Sequence, residues 1–150
     1  AFVVHEAQQR GADGRLIAAA DEQLGNPANP VTRKTQVPPS GDKHDYLSIA
    51  PYRWPNPDSD NGFPWILKDG QINPMARGND TDKVRLAEMF NSLNQLSMAY
   101  FFSDDIRYAD KARSILQVWF INEASKVNPH IKYGQGIPGE LEGRRAGIIE

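Results

Sequence analysis

Residues 41–57 combine aromatic, basic and proline residues in one short segment. Its sequence is GDKHDYLSIAPYRWPNP, in which Tyr52 and Trp54 flank Arg53. Flat aromatic faces edged by polar groups suit the C–H faces and hydroxyls of sugar rings, and prolines reduce the entropy lost when a loop becomes ordered. The segment therefore predicts a carbohydrate-binding loop. The alternative is that its aromatic side chains anchor the loop to the rest of the fold.

A second segment, residues 128–139, carries uncharged hydrogen-bonding side chains on a glycine-rich backbone, NPHIKYGQGIPG. Asn128, Tyr133 and Gln135 are candidate ligand contacts, because glycines let a backbone approach a ligand closely. Asn128 could equally serve as a helix or turn cap. Arg144 and Arg145 follow, and a guanidinium binds a carboxylate through two hydrogen bonds, although such arginines are also often solvated surface.

His44 stands beside Asp45 and Tyr46, as an oriented base would, since a carboxylate can fix the tautomer of an imidazole. Neighbours in sequence need not face one another, so the alternative that His44 takes no direct part in a site stays open. His5 and His130 show no metal-ligand spacing with His44, and we predict no metal site. The sequence has no phosphate-binding loop, dinucleotide fingerprint, hydrolase elbow or zinc helix motif, which disfavours nucleotide-dependent and serine-hydrolase functions.

Both segments are locally basic in a chain whose formal net charge is −2. Residues 32–55 contain four Arg or Lys against two Asp, and residues 124–145 contain four against two Glu, a balance of +2 in each. Local field steers a ligand more than net charge does, so the pattern suits an anionic ligand. The alternative is a chance fluctuation among few charges. The overall charge argues against a general nucleic-acid binder.

The elements that must position these residues are helices joined by long loops. Residues 13–24 predict a helix that ends at Gly25, and residues 25–80 contain nine of the eleven prolines, which predicts a long ordered loop. The 3.6-residue period predicts helices over 81–102, capped by Asp80 or Thr81, and over 105–123, joined as an antiparallel hairpin. No strand pairs with hairpin turns are evident. The predicted class is therefore all-α with long irregular loops. The apolar stripe predicted for the first helix of the hairpin is Leu86, Met89, Phe90, Leu93, Leu96 and Tyr100.

Length and composition set broader bounds. A chain of 150 residues with 39% apolar and 24% charged residues fits one soluble domain. No apolar run approaches the roughly 18 residues that a membrane span needs. The chain has no cysteine and begins Ala-Phe-Val-Val without an initiator methionine, as a mature exported protein or any trimmed chain would.

Several segments taken in order resemble one known family. The runs KHDYLSIAPYRWPNP, GQINP at 70–74, YADKARSILQVWF, NPHIKYGQGIPG and GRRAGIIE resemble the N-terminal half of the alginate lyase superfamily, over about residues 35–150. The resemblance implies that residues 1–150 form the N-terminal part of a single domain, an incomplete (α/α) toroid of antiparallel helical hairpins with a substrate groove across one end. A partial toroid would leave apolar surface exposed on the helix at 81–102.

The resemblance also implies a chemistry, the cleavage of uronic-acid polymers such as alginate or glucuronan by β-elimination without a cofactor. Such an enzyme neutralises the substrate carboxylate while a Tyr or His removes the proton at C5; a free tyrosine has a pKa of about 10, so nearby positive charge must lower it for this role. The family's Asn-His pair and catalytic Tyr are expected beyond Glu150, and no residue present is assigned as catalytic. The expected partners are an anionic polysaccharide and the remainder of the same protein, in the bacterial periplasm or outside the cell. The predicted substrate contacts are His44, Tyr46, Tyr52, Arg53, Trp54, Asn128, Tyr133, Gln135 and Arg144.

Two other functions fit parts of the sequence. A non-catalytic carbohydrate-binding module could keep the groove and lack the Asn-His pair. A helical-repeat scaffold for proteins would explain the hairpin at 81–123, but it predicts a recurring period of about 34 residues that the chain does not show.

Overall fold

The computed structural model describes the backbone of residues 2–144 and the side chains of residues 14–144. In this part of the chain, helices α1 (Phe2–Gly25), α2 (Lys83–Ser103) and α3 (Ile106–Leu116) pack together, and α3 continues into a π-helical turn at Gln117–Ile121. The helix predicted at 13–24 thus begins earlier and ends where predicted, at Gly25. No helix among the described residues is long and apolar enough to cross a membrane.

The hairpin of α2 and α3 forms at the predicted break. Asp104 adopts a left-handed conformation (φ 55°), which ends α2, and the Asp105 carboxylate accepts a hydrogen bond from the Arg107 backbone N–H at 3.0 Å, which caps α3. At the other end, Asp82 rather than Asp80 or Thr81 precedes α2, and its side chain makes no capping bond. The two-residue connection brings α3 back along α2, as the sequence predicts.

The three helices bury one apolar cluster, and most of the predicted stripe of α2 faces it. Met89 and Leu96 are buried, whereas Phe90 is 61% exposed. The C-terminal end of α2 also exposes Phe101, at 75%. The helix therefore carries exposed apolar side chains in this chain. The buried members of the helical cluster are Ala20, Val31, Met89, Leu96, Ala99, Tyr108, Ile115 and Trp119.

Four short strands make two small sheets, and the all-α prediction was therefore wrong. Strand β1 (Leu47–Ile49) pairs in parallel with β4 (Tyr133–Gly136), and β2 (Arg53–Trp54) pairs antiparallel with β3 (Ile66–Leu67). Strands of two to four residues are too short to show an alternating pattern of apolar and polar residues. The parallel pair also joins segments more than 80 residues apart, so no local sequence signal predicts it. The fold is a mixture of helices and small sheets.

Strand β1 contributes Ile49 to a second, smaller apolar core, which also contains Trp65, Ala76 and Ile137. A buried ion pair joins this part of the molecule to the helices. Lys34 Nζ lies 2.8 Å from Asp82 Oδ2, and neither side chain is exposed. The Asp82 backbone N–H donates to the Leu47 carbonyl at 2.8 Å, and the Leu47 N–H donates back to Asp82 Oδ2 at 2.9 Å. The start of α2 is thereby fixed against β1.

Candidate functional site

A cleft of about 640 Å³ opens beside β1, β2 and β4. It contains four basic side chains, Arg53, Arg77, Lys83 and Arg144, and no acidic side chain among its described lining residues. Tyr52 and Gln135 add polar groups, and Ala50, Pro51, Leu67, Ile72, Ala76, Ile137 and Leu141 supply the apolar surface. We call this site the cationic cleft. The excess of basic over acidic side chains among the described lining residues favours an anionic ligand.

Two of the cations are positioned through Asn73, a buried side chain that joins two loops. Its Nδ2 donates to the Arg53 carbonyl at 2.8 Å, and its backbone N–H donates to the Pro51 carbonyl at 2.7 Å. Its Oδ1 accepts from the Met75 backbone N–H at 3.0 Å and so caps the 3₁₀ turn Pro74–Arg77, which ends in the second cation. The positions of Arg53 and Arg77 are therefore coupled.

Lys83, the third cation, is the first residue of α2 and follows the buried Asp82. Burial raises the pKa of the Asp82 carboxyl, which the hydrogen bond from Lys34 opposes, and burial lowers the pKa of Lys34. Lys34 Nζ also donates to the carbonyls of Val31 at 2.9 Å and Lys43 at 2.7 Å. Because these partners surround the ion pair, the backbone before Lys83 is held rigidly.

Arg144, the fourth cation, is held against β4. Its backbone N–H donates to the Gly134 carbonyl at 2.8 Å, and its Nη1 donates to Gln135 Oε1 at 3.4 Å. The backbone at Gly143 lies so close to the start of β4 that a Cβ on Gly143 would be 1.9 Å from the Lys132 carbonyl oxygen, which explains the glycine at this position. Gln135 has a left-handed backbone (φ 51°), and its N–H donates to Ser48 Oγ at 2.8 Å.

The aromatic residues of the 41–57 loop divide between the two roles that the sequence allowed. Tyr52 is 40% exposed and lines the cationic cleft. Trp54 lies outside the lining, since its Nε1 donates to the Gln71 carbonyl at 2.9 Å and Lys68 Nζ sits 4.9 Å from the ring centroid. Tyr46 is buried and also lies outside the lining.

The remaining predicted residues lie together at a different place, where the loops before β1 and β4 meet. His44 Nδ1 lies 2.6 Å from the Lys126 carbonyl, and Asn128 Nδ2 donates to the carboxylates of Asp42 and Asp45. Tyr133 is buried with Lys132 Nζ 5.0 Å from its ring centroid, and the hydrogen bond between them raises the pKa of Lys132. These side chains contact protein groups and do not line the cationic cleft.

The comparisons with known proteins decide the family. A family model of alginate lyases matches residues 30–150. The chain belongs to the alginate lyase family. The crystal structure of an alginate lyase from Bacteroides ovatus, at 1.60 Å resolution, is similar to it with 44% sequence identity and a TM-score of 0.83, over 88% of this chain and 34% of that one. The chain thus spans about a third of the length of that structure. No curated protein matches.

Membership of the alginate lyase family confirms the resemblance drawn from the five sequence segments. Of the nine predicted substrate contacts, the cationic cleft brings together Tyr52, Arg53, Gln135 and Arg144. The sequence analysis did not select Arg77, at the end of a 3₁₀ turn, or Lys83, at the start of α2. The sequence signals available were Asn73, which caps the turn that ends at Arg77, and Asp82, which directly precedes Lys83. Arg145 and the side chain of His5 lie outside the described residues. Within the described part of the chain, no group of three or more His, Asp or Glu side chains could hold a metal ion.

Proposed function

We propose that this chain supplies part of the substrate groove of a polysaccharide lyase that cleaves uronic-acid polymers, alginate or a glucuronan-like chain, by β-elimination. The observation that carries the proposal is the cationic cleft, with four basic side chains and no described acidic one on its walls. A polyuronate carries one carboxylate on every sugar ring, and guanidinium groups bind carboxylates through paired hydrogen bonds. Membership of the alginate lyase family supports the same reaction class.

The reaction explains why cations belong in this groove. Removal of the C5 proton places negative charge next to a carboxylate that is already negative, so the step is slow until that carboxylate is neutralised. A base takes the proton, the electron pair forms the C4–C5 double bond, the C4–O bond breaks, and an acid protonates the departing oxygen. Arg53, Arg77, Lys83 and Arg144 neutralise substrate carboxylates in this scheme. The residues that exchange protons are expected beyond Glu150.

Tyr52 is proposed as a stacking surface at the rim of the cleft. Its half-exposed ring offers an apolar face to a sugar, while its backbone carbonyl is fixed by the Lys68 N–H at 2.9 Å. The elimination is redox-neutral and transfers no group from a carrier, so the proposed chemistry requires no cofactor. We also propose a periplasmic or secreted location, because the substrate is a polymer found outside cells; fractionation of the native host checks this.

The test uses the complete protein with alginate, polyglucuronate and a neutral glucan. We expect rising ultraviolet absorbance from unsaturated uronate ends with at least one of the two polyuronates, and none with the neutral glucan. Binding of a polyuronate without any absorbance change would instead identify a non-catalytic carbohydrate-binding module. Absence of both binding and absorbance change from folded, complete protein would contradict the proposal.

A further inference from the structure

A buried carboxylate outside the cationic cleft organises the loops that lead to it. Asp45 is only 4% exposed. Its Oδ2 accepts a hydrogen bond from Ser40 Oγ at 2.7 Å, and its Oδ1 accepts from Asn128 Nδ2 at 2.6 Å and lies 3.0 Å from His130 Nε2. We call Ser40, Asp45, Asn128 and His130 the Asp45 cluster. A buried carboxylate with three partners is costly to disturb, because removing its charge leaves those partners facing no acceptor of equal strength.

The Asp45 cluster joins two segments that are distant in sequence. Asp45 lies two residues before β1, and Asn128 and His130 lie shortly before β4. A backbone bond from the Asn128 N–H to the His44 carbonyl, at 2.9 Å, runs parallel to the side-chain contacts. The cluster therefore holds together the two loops from which the parallel strands start.

From the strands, two hydrogen bonds lead directly to the cleft. Ser48 in β1 accepts from the Gln135 N–H at 2.8 Å, and Gln135 Oε1 accepts from Arg144 Nη1 at 3.4 Å. Gln135 keeps a left-handed backbone, which a residue other than glycine adopts only when its surroundings hold it there. The orientation of Arg144 in the cleft thus depends on the alignment of β1 and β4.

We infer that Asp45 and Asn128 are positioning residues for substrate binding: they align β4 with β1 so that Gln135 and Arg144 present their polar groups to a uronate carboxylate. The inference rests on the proposed function for its substrate, but the alignment itself can be measured without any ligand. It also gives Asn128 a role different from the direct contact that the sequence suggested.

The ligand-free test is hydrogen exchange of the 133–136 backbone in the complete protein and in Asp45→Asn. The substitution removes the charge and places an amide among donors, so we expect protection of the Gln135 N–H to fall at least about tenfold, the size expected for losing a hydrogen bond to a charged group. Asn128→Ala is the second variant should Asp45→Asn fail to fold. Unchanged protection in a folded variant overturns the inference, whatever the enzyme's substrate.

The functional test is a double-mutant cycle between Asp45→Asn and Arg144→Gln, read as affinity for product oligouronates. We expect each single variant to weaken binding about tenfold and the double variant to lose little more, because both changes disable the same contact. The control is Tyr108→Phe, which removes a 2.9 Å hydrogen bond to Asp21 in the helical cluster and should lower stability without changing affinity. Fully additive losses would overturn the inference, whereas no binding by the unsubstituted protein would count against the proposed function alone.

Discussion

The two parts of this molecule are stabilised in different ways. In the helical region, α1, α2 and α3 bury apolar side chains against one another, and the polar groups of the backbone are satisfied within each helix. In the strand-and-loop region, residues 30–80 and 122–144, the regular elements are two to four residues long. In that region, buried polar side chains such as Asn73 and Asp45 stabilise the fold through hydrogen bonds to loops that are distant in sequence.

The difference explains where a ligand site can lie. Helix faces packed by apolar side chains offer few polar groups, whereas loops held by polar side chains present backbone and charged groups in fixed positions. All four cations of the cationic cleft come from the strand-and-loop region or from its border with α2. Variants in each part should therefore separate stability from ligand affinity.

The largest effect is expected at the joint between the two parts. Lys34→Met removes one partner of a fully buried ion pair and leaves Arg85, whose Nε lies 3.8 Å from Asp82 Oδ1, as the remaining cationic neighbour of the Asp82 carboxylate. We expect the free energy of unfolding to fall by roughly 3–5 kcal/mol, because breaking a buried ion pair by removing one partner is that costly. Urea denaturation followed by circular dichroism measures it. A loss below about 1 kcal/mol, within the range of exposed ion pairs, would show that the two parts are not joined in this way.

A cavity in the helical cluster should reduce stability alone. Leu96→Ala truncates a side chain with no exposed surface in α2, and the expected loss is about 2–5 kcal/mol. Below the unfolding transition, affinity for oligouronates should stay unchanged, since Leu96 lies outside the cleft. Calorimetric binding at a temperature where the variant is folded checks both halves of this expectation; a weakened affinity there would mean that the helical region shapes the ligand site.

A substitution in the strand-and-loop region should lower ligand affinity as well as stability. Gly143→Ala adds a Cβ that would meet the Lys132 carbonyl oxygen at 1.9 Å, so the backbone beside Arg144 must move. The stability cost should be about 1–3 kcal/mol, as for other overpacked sites, with a clear loss of oligouronate affinity. Gly14→Ala is the matched control, because nothing lies within 4 Å of its added Cβ. Equal affinity for the two variants would contradict the assigned position of Arg144.

The smallest expected effect is pH-dependent. Hydrogen bonds from the His44 N–H and then from Asn128 lower the pKa of Asp42 below its ordinary 3.8. A lowered carboxyl pKa contributes stability above the unfolded-state pKa, and this stability disappears as the pH falls through the folded-state value. The Tm of Asp42→Asn should therefore be slightly lower than that of the unsubstituted protein near neutral pH, and the two should converge below pH 3.8. A Tm difference between the two proteins that grows as the pH falls would contradict this expectation.

The sequence predicted the helical region well because a buried helix face recurs every three to four residues. The break at 103–105, the hairpin and the end of α1 at Gly25 all followed from local signals. The parallel pair of β1 with β4 could not be predicted, since Leu47 and Tyr133 meet only after the intervening chain has folded. The first turns of α1 were missed because their mixed composition shows no apolar period.

The candidate site was predictable to the extent that residue types carry chemistry. Tyr52, Arg53 and Gln135 belong to the segments 41–57 and 128–139, Arg144 follows the second segment, and all four line the cationic cleft. Trp54 and Asn128 belong to the same segments but bond to backbone or carboxylate groups of the protein, which depends on partners such as Gln71 and Asp45 that composition does not reveal. The direct roles predicted for His44, Tyr46 and Tyr133 stay predictions.

The most direct measurement of the central claim is the equilibrium affinity of the complete protein for product oligouronates after charge removal. In Arg53→Gln/Arg144→Gln, both substitutions fall in the cationic cleft; in Arg107→Gln/Arg113→Gln, both fall on the exposed surface of α3 and remove the same charge. The account predicts that the cleft variant binds at least about tenfold more weakly per arginine and that the α3 variant keeps its affinity. Equal affinities for the two variants would contradict it.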